Sequence, residues 1–317
     1  MVTFSDIEAA SRVIAQHVHR TPLLTSATFD ALTGNTTYFK AENLQRIGAF
    51  KIRGAYNKIA SLSGEERSRG VIAHSSGNHA QGVALASRLF GIQATVVMPE
   101  NSVRSKMEAT KGYGAKVVLC ADSTDDRERV TSELIARHGY VLIHPYNDEK
   151  LIAGQGTAAL ELFQDAADLD ALFVPVGGGG LIAGCAVAAK HCSPSVKVIG
   201  VETEGANDCY QSFRAGRIIK IPSANTIADG MRTLSVGAIN FEIIQRYVDD
   251  VVTVRDDDVL RMMKFFFERM KIVVEPTGAV APAAVMSNAL GLKGKRIGAV
   301  ISGGNVDPAL LTRIFNF

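Results

Sequence analysis

The stretch VPVGGGGLIAG (residues 174–184) passes from a short apolar strand, through four consecutive glycines, into an apolar helix. Glycines allow the backbone to approach a ligand closely, and a helix start presents several N–H groups that suit a phosphate. The strand–turn–helix order is also the unit from which parallel α/β sheets are built. The stretch therefore predicts an α/β fold with an anion-binding loop made of Gly177, Gly178, Gly179 and Gly180.

Two other interpretations of this loop stay open. A tight turn that binds nothing would use the same glycines. The pattern Gly178-x-Gly180-x-x-Ala183 also fits the dinucleotide-binding fingerprint, with Glu202 at the end of the next predicted strand as a ribose ligand. The loop alone does not separate a dinucleotide from a smaller phosphorylated cofactor.

Short apolar runs alternate with amphipathic stretches on both sides of the loop. Upstream, the pattern predicts strands over 71–74, 94–98, 115–119 and 140–143, and helices over 78–89, 102–111 and 125–137. Downstream, it predicts strands over 172–176, 197–201, 251–254 and 297–301, and helices over 158–163, after 180 and over 257–270. This alternation predicts two α/β lobes with parallel sheets: a large lobe (residues 1–65 and 149–317) and a small lobe (residues 66–148) inserted into it.

The composition excludes several classes of protein. With 34 lysines and arginines against 32 acids, the net charge of +2 is too small for a nucleic-acid-binding surface. Segment 171–189 carries no charge, but Pro175 and the glycines interrupt it, so no membrane-spanning helix is predicted. The N-terminus lacks the pattern of a signal peptide, and the four cysteines contain no C-x-x-C pair. We expect a cytoplasmic protein that binds a small molecule.

A lysine stands at the start of a predicted helix in GAFKIRGA (residues 48–55). The positive end of the helix dipole disfavours an ammonium there, so the pKa of Lys51 is expected to be lowered. A neutral lysine is a nucleophile that can condense with an aldehyde. Taken alone, a lysine at this position is most often a solvated charge.

Two further turns accompany this lysine: SSGNHAQG (residues 75–82) and SGGN (residues 302–305). With these motifs the chain resembles the fold-type II pyridoxal-phosphate (PLP) enzymes, specifically the serine/threonine dehydratase and serine racemase family. The resemblance runs from Arg20 to Asn305 and includes F-K-I-R-G-A, S-S-G-N-H, G-G-G-G-L and S-G-G-N in this order. It implies a tryptophan synthase β-like fold, in which each lobe is a three-layer α/β/α structure.

The resemblance also implies a cofactor site. Lys51 would hold PLP covalently and Phe50 would lie beside the ring. Asn78 would bind the ring hydroxyl, the four glycines the phosphate and Ser302 the pyridine nitrogen. Glu275, in E-P-T-G, resembles an acidic residue near the cofactor. A hydroxyl partner for the ring nitrogen gives a weaker electron sink than an aspartate, which suits expulsion of a β-hydroxyl group.

Substrate residues follow from the same resemblance. The turn formed by Ser75, Ser76, Asn78 and His79 would take the substrate carboxylate, because backbone N–H groups at a helix start favour an anion. Lys51 would remove the α-proton as general base. Ser76 resembles the serine of serine racemases on the opposite side of the α-carbon; a helix-capping role is the alternative. Arg127 resembles an arginine that approaches the substrate.

A metal site is implied as well. Segment 202–208 (ETEGAND) resembles the family's divalent-cation loop, with Glu202, the Ala206 carbonyl and Asp208 as ligands. Ligation by oxygen alone fits Mg²⁺, or Ca²⁺ or Mn²⁺ in its place. The family also leads us to expect a homodimer.

Specificity is where the sequence departs from the serine racemase pattern. Arg232 lies in the loop that borders the substrate in this family, and a serine or threonine side chain needs no cation there. We hypothesise that it pairs with a second carboxylate, as in 3-hydroxyaspartate. A surface arginine, or one that contacts a partner subunit, is the alternative.

The sequence therefore predicts a PLP-dependent dehydratase (ammonia-lyase) that converts β-hydroxy amino acids to an oxo acid and ammonia, with serine racemase activity in addition. Three rivals stay open: a β-replacement enzyme like the cysteine synthases, a nicotinamide-dinucleotide oxidoreductase, and a ligand-binding protein without catalysis.

Overall fold

A computed structural model describes residues 1–315, which contain ten β-strands and fourteen α-helices. The strands are β1 Leu23–Leu24, β2 Thr36–Ala41, β3 Val71–His74, β4 Ala94–Pro99, β5 Lys116–Cys120, β6 Val141–Leu142, β7 Ala171–Pro175, β8 Lys197–Thr203, β9 Asp250–Val254 and β10 Arg296–Ile301. The helices are α1 Phe4–Ile14, α2 Ala27–Thr33, α3 Lys51–Ala60, α4 Gly64–Arg69, α5 Asn78–Leu89, α6 Arg104–Gly112, α7 Thr124–His138, α8 Glu149–Asp165, α9 Gly180–Cys192, α10 Asp208–Ala215, α11 Ala238–Tyr247, α12 Asp256–Phe265, α13 Pro276–Met286 and α14 Pro308–Phe315.

The strands form two sheets. The larger has the order β1-β2-β10-β7-β8-β9 and the smaller the order β5-β4-β3-β6. Every pairing is parallel except that of β1 with β2. The predicted α/β class with largely parallel sheets is therefore confirmed. The strands of the smaller sheet all lie between residues 71 and 142, and this supports our proposal that residues 66–148 are the small lobe.

The large sheet is covered by helices on both faces. Along β7, Leu172 and Val174 join the cluster formed with α1, α8, α9 and α11. Ala171 and Phe173, which point the opposite way, join the cluster formed with α2, α12 and α13. This alternation follows from the two-residue period of a strand and gives the large lobe its three layers. No helix within residues 1–315 has both the length and the apolarity needed to cross a membrane.

Two predicted helices differ from the observed ones. The helix predicted over 158–163 lies in the C-terminal half of α8, which already begins at Glu149, directly after its N-cap Asp148. Gly154 and Gly156 occur inside it because α8 packs closely on its neighbours: a Cβ at Gly154 would lie 2.6 Å from the Arg53 carbonyl. The helix predicted over 257–270 ends at Phe265 and continues as a π-helical turn to Met270, since Lys271 adopts a left-handed φ of 60°.

Candidate active site

Lys51 is the first residue of helix α3, and its side chain contacts the segment that follows β6. Its Nζ donates a hydrogen bond to the Pro145 carbonyl at 2.7 Å and lies 5.2 Å from the centroid of the Phe50 ring. Burial lowers the pKa of Lys51 to about 8. The predicted lowering of this pKa thus has desolvation as its cause, and about a tenth of the amine is neutral at pH 7.

The segment that holds this amine also touches the glycine loop. The Tyr146 ring lies directly against Gly178, where a Cβ would collide with it, and a Cβ at Gly180 would lie 3.0 Å from the Tyr146 carbonyl oxygen. Gly179 has a left-handed φ of 92° and caps α9. The amine of Lys51 and the glycine loop are therefore parts of one site, joined by residues 145–146.

The backbone N–H groups of this loop are available to a ligand. Among residues 1–315, the amides of Gly178, Gly179 and Gly180 have no hydrogen-bond acceptor, although all three glycines are buried. Buried amides without partners are costly unless an anion or water accepts from them. The loop thus fits the phosphate of a cofactor.

Ser302, at the carboxyl end of β10, lies beside the lysine loop. Its carbonyl accepts from the Phe50 N–H at 3.1 Å, and residues 49 and 303 form a β-bridge. The Ser302 side chain is 1% exposed, and its hydroxyl has no hydrogen-bond partner within the described chain. An unpartnered buried hydroxyl at this position fits a nitrogen of a bound heterocycle.

A hydrogen-bond chain connects Asn78 to the same site. Its Nδ2 donates to Glu275 Oε1 at 2.6 Å, and its Oδ1 accepts from Asn305 Nδ2 at 2.8 Å. Burial raises the pKa of Glu275 to about 7, against the opposing effect of the Lys106 ammonium. The motifs that begin at residues 48, 75 and 302 therefore converge, as the sequence led us to expect.

The turn over residues 75–79 follows β3 and starts helix α5. The N-cap of α5 is Gly77 and no side chain caps it, so the alternative role of Ser76 as a helix cap is wrong. Within the described residues, the amides of Ser76, Asn78 and His79 have no acceptor. Burial holds the pKa of His79 well below its ordinary value, and the neutral ring contacts the Ile143 carbonyl through Nε2 at 2.9 Å. The turn presents free N–H groups, which suit a carboxylate.

Two buried carboxylates face each other where β8 meets α10. Glu202 accepts from the amides of Cys209 and Tyr210 at 3.2 and 2.6 Å, so each of its oxygens already has one backbone donor. Neither oxygen of Asp208 has a hydrogen bond of good geometry within the described chain, although the side chain is fully buried. Burial raises the pKa of Asp208 to about 7 and holds the pKa of Glu202 well above its ordinary value.

A bound cation would offset the cost of burying these two carboxylates side by side. Ala206 lies between them in sequence and forms a β-bridge with Thr203, which folds the loop back on the end of β8. No group of three or more His, Cys, Asp or Glu side chains suited to a metal occurs in residues 1–315, so any metal here would need backbone oxygen and water as further ligands.

The two predicted substrate arginines occupy different positions. Arg127, on α7, is partly buried, and its Nε has no partner in the described chain. Its positive charge tends to lower the pKa of both His74 and Tyr146. Arg232 is exposed, and its Nε and Nη2 both donate to the Thr226 carbonyl at 2.9 and 2.7 Å. One edge of the Arg232 guanidinium is therefore already occupied by backbone.

Three residues of this site have no signal in the sequence. Lys106 and Asp229 form an ion pair beside Glu275, and Tyr146 lies on the glycine loop. No local pattern singles them out, because a lysine in a polar helix and an aspartate before a glycine are ordinary surface residues in most sequences. Only the tertiary fold brings them to the ligand-binding groups.

Fold and site together define an enzyme that carries pyridoxal phosphate. The chain belongs to the pyridoxal-phosphate dependent enzyme family, whose model matches residues 14–303. It is 49% identical to the L-threo-3-hydroxyaspartate ammonia-lyase of Saccharomyces cerevisiae over 96% of this chain and 94% of the relative. It is 47% identical to the L-threonine ammonia-lyase of Thermotoga maritima over 100% of this chain and 79% of the relative. The structure of maize serine racemase superposes with a TM-score of 0.95 at 43% identity, covering 99% of this chain and 97% of that one. The predicted family and fold type are confirmed.

Proposed function

We propose that this chain is a PLP-dependent ammonia-lyase that removes water from β-hydroxy amino acids and releases an oxo acid and ammonia. The observation that carries the proposal is the amine of Lys51, whose pKa burial lowers to about 8, in one site with the glycine loop. The substrates proposed are L-serine, L-threonine and L-threo-3-hydroxyaspartate. Serine racemase activity is proposed in addition.

The residues divide the work between holding the cofactor and handling the substrate. The residues proposed to hold PLP are Phe50, Lys51, Asn78, Gly177, Gly178, Gly179, Gly180, Glu275 and Ser302. When bound, PLP supplies an electron sink for the pair left at the α-carbon. Lys51 Nζ takes the α-proton, and the turn of Ser75, Ser76, Asn78 and His79 orients the substrate carboxylate. The amides of Ser76, Asn78 and His79 do this, since the Ser75 amide already donates to the Val97 carbonyl at 3.1 Å. The Ser76 hydroxyl, which caps no helix, is free to return a proton from the opposite side.

Product analysis tests this proposal. Purified holoenzyme is incubated with each of the three amino acids, and ammonia and oxo acid are measured without any added thiol or sulfide. We expect equal amounts of ammonia and oxo acid. Formation of a new β-substituted amino acid, without ammonia and only when a second nucleophile is added, would identify a β-replacement enzyme instead. No reaction with any of the three amino acids would refute the lyase.

The role of Arg232 gives a prediction on specificity. We propose that its free edge pairs with the second carboxylate of L-threo-3-hydroxyaspartate. Arg232→Ala should then lower kcat/KM for this substrate by about 10-fold or more, as expected for a lost charge-assisted hydrogen bond, and by less than about twofold for L-serine. Equal loss on L-serine, L-threonine and L-threo-3-hydroxyaspartate would contradict the role. Arg127→Met, assayed in parallel, shows whether the partly buried arginine serves all substrates alike.

We also propose a divalent-cation site made of Glu202, the Ala206 carbonyl and Asp208, with Mg²⁺, Ca²⁺ or Mn²⁺ as the ion. Its support is the pair of buried carboxylates, of which Asp208 has no hydrogen bond of good geometry within residues 1–315. A ligand that binds only the folded state stabilises it, so each ion at a hundred times its Kd should add about 2.7 kcal/mol to the free energy of unfolding. Asp208→Asn should remove this response. An unchanged thermal midpoint of the wild-type protein with all three ions would refute the site.

The pKa of Lys51 gives a prediction on cofactor uptake. A group with a pKa of about 8 is about 1% neutral at pH 6 and about 90% neutral at pH 9. Because only the neutral amine attacks an aldehyde, apo-protein should take up PLP many times faster at pH 9 than at pH 6. Stopped-flow absorbance measures the rate, with free lysine as the reference, whose rise should continue to higher pH. A flat profile between pH 6 and 9 would contradict the lowered pKa.

A homodimer and a cytoplasmic location remain our proposals. The exposed Phe267 and Phe315 rings, 5.2 Å apart, leave an apolar surface that supports a subunit contact, and light scattering measures the mass in solution. All four cysteines are unpaired, which supports a reducing compartment.

A further inference from the structure

One buried cation links the small lobe to the large lobe at the active site. Lys106 lies on α6 of the small lobe, and only 5% of its surface is exposed. Its ammonium pairs with Asp229 of the large lobe and lies 3.9 Å from Glu275 Oε2. Burial alone would lower the pKa of Lys106, but the carboxylates of Glu275 and Asp229 hold it above its ordinary value.

The Lys106 side chain also supports the turn proposed to bind the substrate carboxylate. A Cβ at Gly77 would lie 3.3 Å from Lys106 Cδ and 3.6 Å from its Nζ, so the lysine packs directly against the cap of α5. A side chain at residue 77 would therefore press against Lys106 and displace it. The turn and the ammonium are in contact within one lobe.

On the other side of the ion pair lies the glycine loop. Asp229 precedes Gly230, whose carbonyl oxygen would lie 3.0 Å from a Cβ at Gly177. The Gly230 N–H donates to Thr277 Oγ1 at 3.0 Å, which fixes this segment on the start of α13. Lys106 thus joins the carboxylate-binding turn of one lobe to the phosphate-binding side of the other.

A lysine is rarely buried unless carboxylates offset the loss of its hydration. Both carboxylates that do so here belong to the large lobe, and the contact with Gly77 belongs to the small lobe. The burial of Lys106 is therefore complete only while the two lobes are together.

We propose that Lys106 is a positioning residue, whose ammonium holds the residue 75–79 turn against Asp229 and Glu275 and so sets the affinity for the amino-acid substrate. This inference rests on the proposed function, since it assigns the turn to the substrate carboxylate. Its loss should weaken substrate binding more than it slows the chemical steps, because Lys106 does not touch the Lys51 amine.

Steady-state kinetics on Lys106→Met provide the test, since methionine keeps the length of the side chain and removes the charge. We expect KM to rise about 10-fold or more with kcat reduced less than about threefold. Lys106→Arg, which restores a cation, should recover part of the affinity. Lys111→Met is the matched control, because Lys111 is an exposed lysine on the same helix, and its KM should not change.

The partner residue keeps the test valid if Lys106→Met folds poorly. Asp229→Asn should raise KM as well, and the Lys106→Met/Asp229→Asn double variant should be no worse than Lys106→Met alone, because both changes break the same contact. Additive losses, or an unchanged KM in both single variants, would overturn the inference.

Hydrogen–deuterium exchange separates this inference from the proposed function. In protein without substrate, Lys106→Met should expose the peptide over residues 75–82 to faster exchange, whereas Lys111→Met should not. If Lys106→Met exchanges faster but the wild-type enzyme has no lyase activity, the proposed function is refuted and the contact between the lobes is still supported. Unchanged exchange in Lys106→Met would overturn the positioning role even if the wild-type enzyme is an active lyase.

Discussion

Lys51→Ala is expected to abolish ammonia release and the absorbance of the bound cofactor together. The variant lacks both the amine that holds the cofactor and the base that takes the α-proton. General base catalysis alone contributes about 10² to 10⁴-fold, so we expect a loss of turnover of at least about 10³-fold. Ammonia release and the visible absorbance of the purified protein measure the two effects.

Lys58→Met is the matched control for this experiment. Lys58 lies seven residues further along α3, is partly exposed and pairs with Asp148 at 2.8 Å. It should retain the absorbance and most of the activity. Turnover within tenfold of wild type in Lys51→Ala would contradict the assignment of the base.

Arg53→Met is expected to cause the largest loss of stability. Arg53 is fully buried and makes paired hydrogen bonds of 2.7 to 2.8 Å with both Glu42 and Glu161. Lys40 also contacts Glu161, at 2.6 Å, but Glu42 would lose its guanidinium partner in the variant. Removing one partner of a buried ion pair costs about 3 to 5 kcal/mol, because the other charge stays buried and unpaired. Thermal or urea unfolding of the apo-protein measures the loss.

Arg20→Met provides the comparison with an exposed arginine. Arg20 pairs with Asp165 at 2.6 Å, but about half of its side chain is exposed. Such pairs contribute about 0 to 1 kcal/mol, so this variant should unfold close to the wild type. Arg53→Lys should not restore stability, since an ammonium cannot form both paired contacts at once. Equal stability of Arg53→Met and Arg20→Met would contradict the role of the buried ion network.

The parts of the site that the sequence predicted are those contained in short motifs. The glycine loop, the residue 75–79 turn and Ser302 each follow a strand directly. Because parallel strands bring their carboxyl ends to one edge, the glycine loop after β7 and Ser302 after β10 meet at one edge of the large sheet. The residue 75–79 turn follows β3 of the smaller sheet, so its meeting with the other two was expected from the family resemblance and not from local order along the chain.

The parts that could not be predicted depend on contacts between distant segments. The pairing of Lys106 with Asp229 joins two lobes, and neither residue stands in a recognisable motif. Gly154 and Gly156 weaken the helical pattern of α8, yet the close approach of α3 and α9 requires them. The cause of the lowered Lys51 pKa was also hidden, because desolvation depends on everything that surrounds the amine.

The most direct test of the central claim is to find which lysine carries the cofactor. Holoenzyme is reduced with borohydride, digested, and its peptides are analysed by mass spectrometry. We predict a pyridoxyl label on Lys51 and none on the buried Lys40 or Lys106. A label on another lysine, or no fixed label in a protein that retains its lyase activity, would contradict the account.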